Sequence, residues 1–186
     1  MKKNKLIYIF FIYFLSLTNS FSIEPDKFVQ STVDRASKLL TNSFSKDDKI
    51  KKLKIIAKET VDIKGIGFYT LGSIRKTLDK NQKQKYLVLF EKYFLKSFSS
   101  RLSEWTDPEI NVISQNIINK KYTIVHSMLK GTDERPEVKI DWRIYTKDAD
   151  NPLIRDVIIE GLSLARTQKE EFSSIINSND GNIEAL

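Results

Sequence analysis

The sequence predicts an α+β fold: N-terminal helices and a C-terminal helix packed on a four-stranded antiparallel sheet that encloses an apolar cavity. Three observations predict it. Apolar residues recur at three- and four-residue steps through the first part of the chain. From Ile110 the period changes to that of strands. The strand-like runs are then joined by links too short for crossover connections, which leaves antiparallel neighbours.

Glu24 to Thr41 reads as a helix, with Pro25 suited to the first turn. Its apolar stripe is Phe28, Val29, Thr32, Val33, Ala36, Leu39 and Leu40. Asn42 to Ser45 breaks it. Asp47 to Thr60 is a second helix with Ile50, Leu53, Ile56 and Ala57 inward. Val61 to Leu71 reads as a short irregular helix, weakened by Gly65, Gly67 and the following Gly72. Asp79 is the N-cap of a long helix to about Leu102, and Gln82 completes a capping box. Its inner stripe is heavily aromatic: Tyr86, Phe90, Tyr93, Phe94 and Phe98, with Leu87 and Ser97.

Ile110 to Ile118 and Tyr122 to Leu129 are β-rich, with a turn at Asn119-Lys-Lys121. Val138, Ile140, Trp142 and Ile144 alternate with Lys139, Asp141, Arg143 and Tyr145, the pattern of a half-buried strand. Leu153 to Glu160 is the fourth strand. A last helix runs from about Thr167 to Asn177, with Thr167 and Glu170 as a capping box and Phe172, Ile175 and Ile176 inward. No repeat or linker divides the chain. The expected organisation is a signal peptide over 1–22 and one domain over 23–186: helix-rich 23–105, strand-rich 106–165 and C-terminal helix 166–186.

The leader is read from its three parts. Met1 to Lys5 is basic, Leu6 to Leu17 is uncharged and apolar, and Thr18 to Ser22 is polar and mostly small. The apolar run of 12 residues falls short of the roughly 20 that a spanning helix needs. Cleavage near Ser22 and export to the periplasm are expected. Removing Lys2, Lys3 and Lys5 lowers the formal charge from +7 to +4. An exported chain of that modest charge is not expected to bind nucleic acid. The cluster Lys49, Lys51, Lys52, Lys54 and Lys58 reads as a solvated helix face, or as a weak attraction to anionic membrane headgroups.

Cys 0 excludes a disulfide scaffold, a cysteine nucleophile and thiolate metal sites, and His 1 leaves no usual zinc ligand set. No metal or cofactor is expected. There is no G-x-S-x-G elbow, and Gly65-Ile-Gly67 lacks the strand and third glycine of a phosphate loop. His126 reads as structural. Asp141 and Asp156 lie within strands, from which a general base in a cavity could be built. The expectation is a protein that is not an enzyme.

Two segments resemble the MlaC family, periplasmic phospholipid-binding proteins of the Mla lipid transport system, also called toluene-tolerance proteins. The first is Val61-Asp62, Leu71-Gly72, Lys76, Asn81-Gln82, Phe90 and Phe94. The second is Asp156-Val-Ile-Ile-Glu160-Gly-Leu-Ser-Leu164 followed by Phe172 and Ile175-Ile176, which is similar to the family's Asp-Val-x-x-Glu-Gly-x-Ser-Leu. Trp142-Arg143 stands where an aromatic–Arg pair is common. Arg75 and Pro152 replace tryptophans usual in the family.

The resemblance implies a monomeric carrier moving phospholipid between an outer-membrane lipoprotein–porin complex and an inner-membrane ABC transporter with a hexameric substrate-binding ring. That role supports the lipid asymmetry of the outer membrane. Two acyl tails hold about 30 methylenes at ~0.8 kcal/mol each, so exposing both to water costs on the order of 20 kcal/mol. A carrier therefore needs an apolar enclosure. The expected lipid-binding residues are Val61, Ile66, Tyr69 and Leu71 from the short helix, Leu87, Phe90 and Phe94 from the aromatic helix, and Val125, Ile140, Trp142, Ile144, Val157 and Ile159 from the strands. The alternative is an exported cone-shaped α+β domain that binds or isomerises a small apolar ligand.

Overall fold

Pro25 opens α1 (Pro25–Thr41), whose buried stripe Val29, Thr32, Val33, Leu39 and Leu40 follows the predicted spacing. The computed structural model describes residues 22–133 and 135–186. The predicted leader, apart from Ser22, lies outside them. α2 (Lys46–Thr60) starts at Ser45, whose side chain accepts from the Asp48 amide, and buries Leu53 and Ala57. No helix among the described residues is long and apolar enough to cross a membrane.

The segment expected to be irregular is a regular helix, α3 (Ile63–Thr70). Two local causes offset its glycines. The Asp62 carboxylate caps it by accepting from Gly65 N at 2.8 Å. A β-carbon on Gly67 would stand 2.8 Å from Phe90 Cδ1, so glycine there allows α3 to close against the next long helix. That helix, α4 (Lys80–Leu102), carries the complete Asp79–Gln82 capping box.

Five strands follow: β1 (Ile110–Asn119), β2 (Tyr122–Leu129), β3 (Val138–Tyr145), β4 (Leu153–Ile159) and β5 (Leu162–Ser163). They form one antiparallel sheet in chain order. The fifth strand goes beyond the expected four, because Glu160 (φ 49°) and Gly161 (φ 82°) make a two-residue turn that sends the chain back along β4. At Gly161 a side chain would be strained. Gly161→Ala is expected to cost about 1 kcal/mol, read as a lowered urea midpoint.

α5 (Leu164–Asn177) begins three residues before the predicted start. Ser163, not Thr167, is the N-cap and accepts from the Arg166 amide at 3.1 Å. Thr167 lies inside the helix and donates to the Ser163 carbonyl. Glu170 pairs with Arg166 at 2.9 Å rather than closing a capping box. Ile176 is buried, whereas Ile175, expected inward, is exposed. It lies one step of about 100° around the helix from the buried stripe.

The two layers are tied along their margins. α1 packs on β1 and β2, α5 on β4, while α4 lies chiefly against α2 and α3. Gln30 grips β1: its Oε1 accepts from Val112 N at 2.8 Å and its Nε2 donates to the Ile110 carbonyl at 3.1 Å. The Arg155 Nε donates to Asp62 Oδ2 at 2.6 Å, joining β4 to the α3 cap, and its guanidinium stacks 3.9 Å from the Tyr145 ring centroid. Burial works against the Arg155 charge, but the bonds to Asp62 and Tyr122 outweigh it and raise the pKa.

Candidate functional site

The inner face of α4 is an aromatic ladder. Successive rings Tyr86, Phe90, Phe94 and Phe98 are stacked at centroid distances of 5.8, 6.2 and 5.6 Å. Residues four apart lie one above another on a helix, so the period seen in the sequence becomes a continuous apolar ridge. Phe172 of α5 sets its ring edge-on to Tyr86 and Phe90, at 6.4 and 6.3 Å. Facing the ridge is one side of the sheet. Along β2, Thr123, Val125, Ser127 and Leu129 are buried in alternation. Cross-strand register adds Ile140, Trp142 and Ile144 from β3 and Val157 and Ile159 from β4 to the same side.

Several polar atoms within this seam are paired internally. Trp142 Nε1 donates to Ser127 Oγ at 2.8 Å, and Ser127 Oγ donates to the Ile140 carbonyl at 2.9 Å. Tyr86 OH and Thr70 Oγ1 share a hydrogen bond of 2.7 Å, and Thr70 Oγ1 also reaches the Gly67 carbonyl. Burial pushes the Tyr86 phenol up to about 12, so it stays neutral. Tyr86→Phe removes one satisfied bond without opening space, and is expected to cost about 1 kcal/mol by chemical denaturation. A lining with most of its polar groups already partnered offers an entering molecule chiefly apolar contact.

The predicted binding residues divide as follows. Val61, Ile66, Leu71, Phe90, Val125 and Ile144 belong to one buried cluster, with Leu87, Phe94, Trp142 and Val157 half-buried against it. Ile140 is buried on the sheet, and Ile159 is half-buried beside it in register. Tyr69 is instead exposed on the outside of α3, with the Lys169 ammonium 5.3 Å from its ring centroid. Val112, Phe98 and Phe172 join the cluster without having been predicted as binding residues. For the two phenylalanines the helical spacing was the available signal.

Two depressions, of about 430 and 660 Å³, lie on polar helix faces, the first around Gln30 and Asp34 of α1 and the second around Ser173 and Asn177 of α5. Neither lies between ridge and sheet. The side chains of the cluster line that space. An unfilled apolar space costs about 24 cal/mol per Å³, so such a seam is stable only when side chains or a guest occupy it.

At the β1 end the cover runs out. Ile117 is 74% exposed although Thr123, its cross-strand partner, is 3% exposed. Ile113 and Ile118 are exposed as well. β1 therefore leaves an apolar, uncharged lip beside the seam, which the sequence did not distinguish from a buried strand.

The two aspartates weighed as general bases are engaged. Asp141 Oδ1 pairs with His126 Nδ1 at 2.7 Å, with the Lys139 ammonium 3.4 Å from its other oxygen. Asp156 accepts from Ser163 Oγ at 2.6 Å and from Ala165 N at 3.0 Å, and Arg143 stands 3.9 Å away. No group of three or more potential metal ligands occurs among the described residues.

The family model described as "MlaC protein" matches residues 30–186. Among solved structures, a phospholipid-binding protein from Ralstonia solanacearum, determined in complex with a phospholipid, has the same fold. Its TM-score is 0.72 at 17% identity, over 88% of this chain and 93% of that one. No curated protein matches the sequence.

Proposed function

The chain belongs to the MlaC family, and from that premise we propose that residues 23–186 form a periplasmic phospholipid carrier, released from a signal peptide over 1–22. The Ralstonia protein of the same fold was solved with a phospholipid bound, and the proposal extends that ligand class to this chain. The observation that carries the reading is the seam itself. An aromatic ridge faces a largely apolar sheet side, on which Trp142 and Ser127 are paired with each other, as are Tyr86 and Thr70 beside the ridge.

Acyl chains lie between ridge and sheet, where they meet apolar side chains, while the ties at Gln30 and Asp62 hold the margins of the two layers together. The exposed lip Ile113–Ile117–Ile118 is the place where tails enter. The headgroup stays in water, and a transporter on one membrane and a lipoprotein–porin complex on the other supply and receive the lipid.

The test is extraction of natively purified protein with organic solvent, followed by mass spectrometry. Close to one phospholipid per chain is the expected result. A clean extract, together with no uptake from phospholipid vesicles, would overturn the reading in favour of a small apolar ligand.

A further inference from the structure

We infer that the outer face formed by α2 and α4 is a docking surface for an anionic lipid bilayer. The first ground is segregation of charge. α2 and α4 together carry eleven Lys and one Arg against Asp47, Asp48, Glu59 and Glu91, a net +8. Residues 23–186 as a whole carry +4, so everything else in that span is net −4. The two helices lie side by side and antiparallel: Lys58 pairs with Glu91 at 2.9 Å near one end and Lys46 with Glu104 at 3.4 Å near the other. Their exposed residues therefore share one face, on which Lys51, Lys52, Lys92 and Lys96 are exposed. Lys92 and Lys96 form no ion pair among the described residues.

The second ground is the kind of charge. Eleven of the twelve cations on these helices are lysine, whereas the rest of residues 23–186 has ten Lys to six Arg. Protein–protein interfaces favour arginine and are depleted in lysine. A compact, hydrated ammonium on a flexible stem suits a diffuse layer of phosphates, which demands no fixed fork geometry. The third ground is the apolar component. Ile55 is 56% exposed and Leu89 51% exposed, with Val88 also on the outside of α4. Single aliphatic side chains amid lysines, rather than one contiguous patch, match shallow insertion between headgroups.

The placement also has a geometric consequence. α4 presents its lysines outward and its aromatic ladder inward, so docking sets the seam about one helix diameter, ~10 Å, from the headgroup layer. The inference concerns the outer surface and stands whether or not the seam holds phospholipid.

The experiment is flotation of residues 23–186 with vesicles of 70% phosphatidylcholine and 30% phosphatidylglycerol, against pure phosphatidylcholine, at low and high salt. Binding is expected only with phosphatidylglycerol, and is expected to fall steeply as salt rises. The K51E/K92E/K96E variant is expected to lose at least about tenfold in apparent affinity, with an unchanged melting curve. Lys120→Glu with Lys121→Glu, at the β1–β2 hairpin, is the control and is expected to bind nearly as wild type. Equal binding to both vesicle types, or a triple variant that floats like wild type, would overturn the proposal. So would a wild-type chain that ignores the vesicles while its Lys92 cross-links to an acidic protein, which would assign the face to a protein partner. Cargo analysis of the same samples keeps the two readings apart: a chain that floats without lipid in its extract fails only as a carrier.

Discussion

Val157→Asp abolishes phospholipid retention while leaving the chain folded. Val157 is half-buried on the helix-facing side of β4, opposite Trp142 in register, and it packs against the cluster from the margin rather than from within. In the unloaded protein an aspartate there can turn its carboxylate toward water. With acyl chains against it that escape is lost, and an unpaired polar group in an alkane-like setting costs about 4–8 kcal/mol. Even a third of that cost lowers affinity by roughly 10- to 100-fold. The measurement is the phospholipid-to-protein ratio in solvent extracts, with near-UV circular dichroism and thermal melting as the check on folding. Val157→Leu, which adds apolar volume, keeps the lipid. An unchanged ratio in folded Val157→Asp would remove this position from the lipid path. Phe90→Asp is less informative: Phe90 is buried between Tyr86, Phe94 and Phe172 beside Gly67, so a carboxylate there unfolds the chain before it tests cargo.

What the sequence made readable was whatever depends on neighbours in the chain. The Asp79–Gln82 box lies within one turn, and it formed as predicted. The aromatic ladder follows from a spacing of four, and β3 from simple alternation. Misreadings arose where a distant partner decides. Thr167 and Glu170 have the spacing of a capping box, yet α5 starts at Ser163, because Asp156 on the neighbouring strand holds Ser163 Oγ and the Ala165 amide in place. α3 looked too rich in glycine to be regular, but Gly67 is where Phe90 of α4 comes close. The apolar residues of the candidate site were legible as buried positions, but pocket walls and core have the same composition, so nothing in Val61, Ile66 or Val125 told one from the other. The exposure of Ile117 beside buried Thr123 depends on where the helical layer ends, which one strand's pattern does not encode.

Asp156→Ala is expected to destabilise the protein by about 3 kcal/mol. Three donors converge on this buried carboxylate: Ser163 Oγ at 2.6 Å, Ala165 N at 3.0 Å and, more distantly, Arg143 at 3.9 Å. Hydrogen bonds to a charged group contribute about 1.5–3 kcal/mol each, and truncation also leaves buried donors without partners. With a urea slope of about 2 kcal/mol/M, the midpoint falls by roughly 1.5 M. Asp156→Asn keeps one acceptor for Ala165 N but sets an amide NH2 beside Arg143 or Ser163, so an intermediate loss is expected. A drop below about 0.5 kcal/mol in both variants would show that the carboxylate does not anchor α5. The same geometry explains the motif Asp-Val-x-x-Glu-Gly-x-Ser-Leu without invoking cargo contact. Asp156 accepts the bonds, Glu160 and Gly161 supply the two positive-φ turn residues, Ser163 caps the helix and Leu164 begins it. Within it Val157 is a half-buried apolar side chain of the cluster, and Ile159 lies on the same side of the sheet. The motif is thus a clamp joining β4 to α5. Asp156→Ala and Val157→Asp, adjacent in sequence, are expected to separate: the first lowers stability, and the second removes cargo from a chain that still folds.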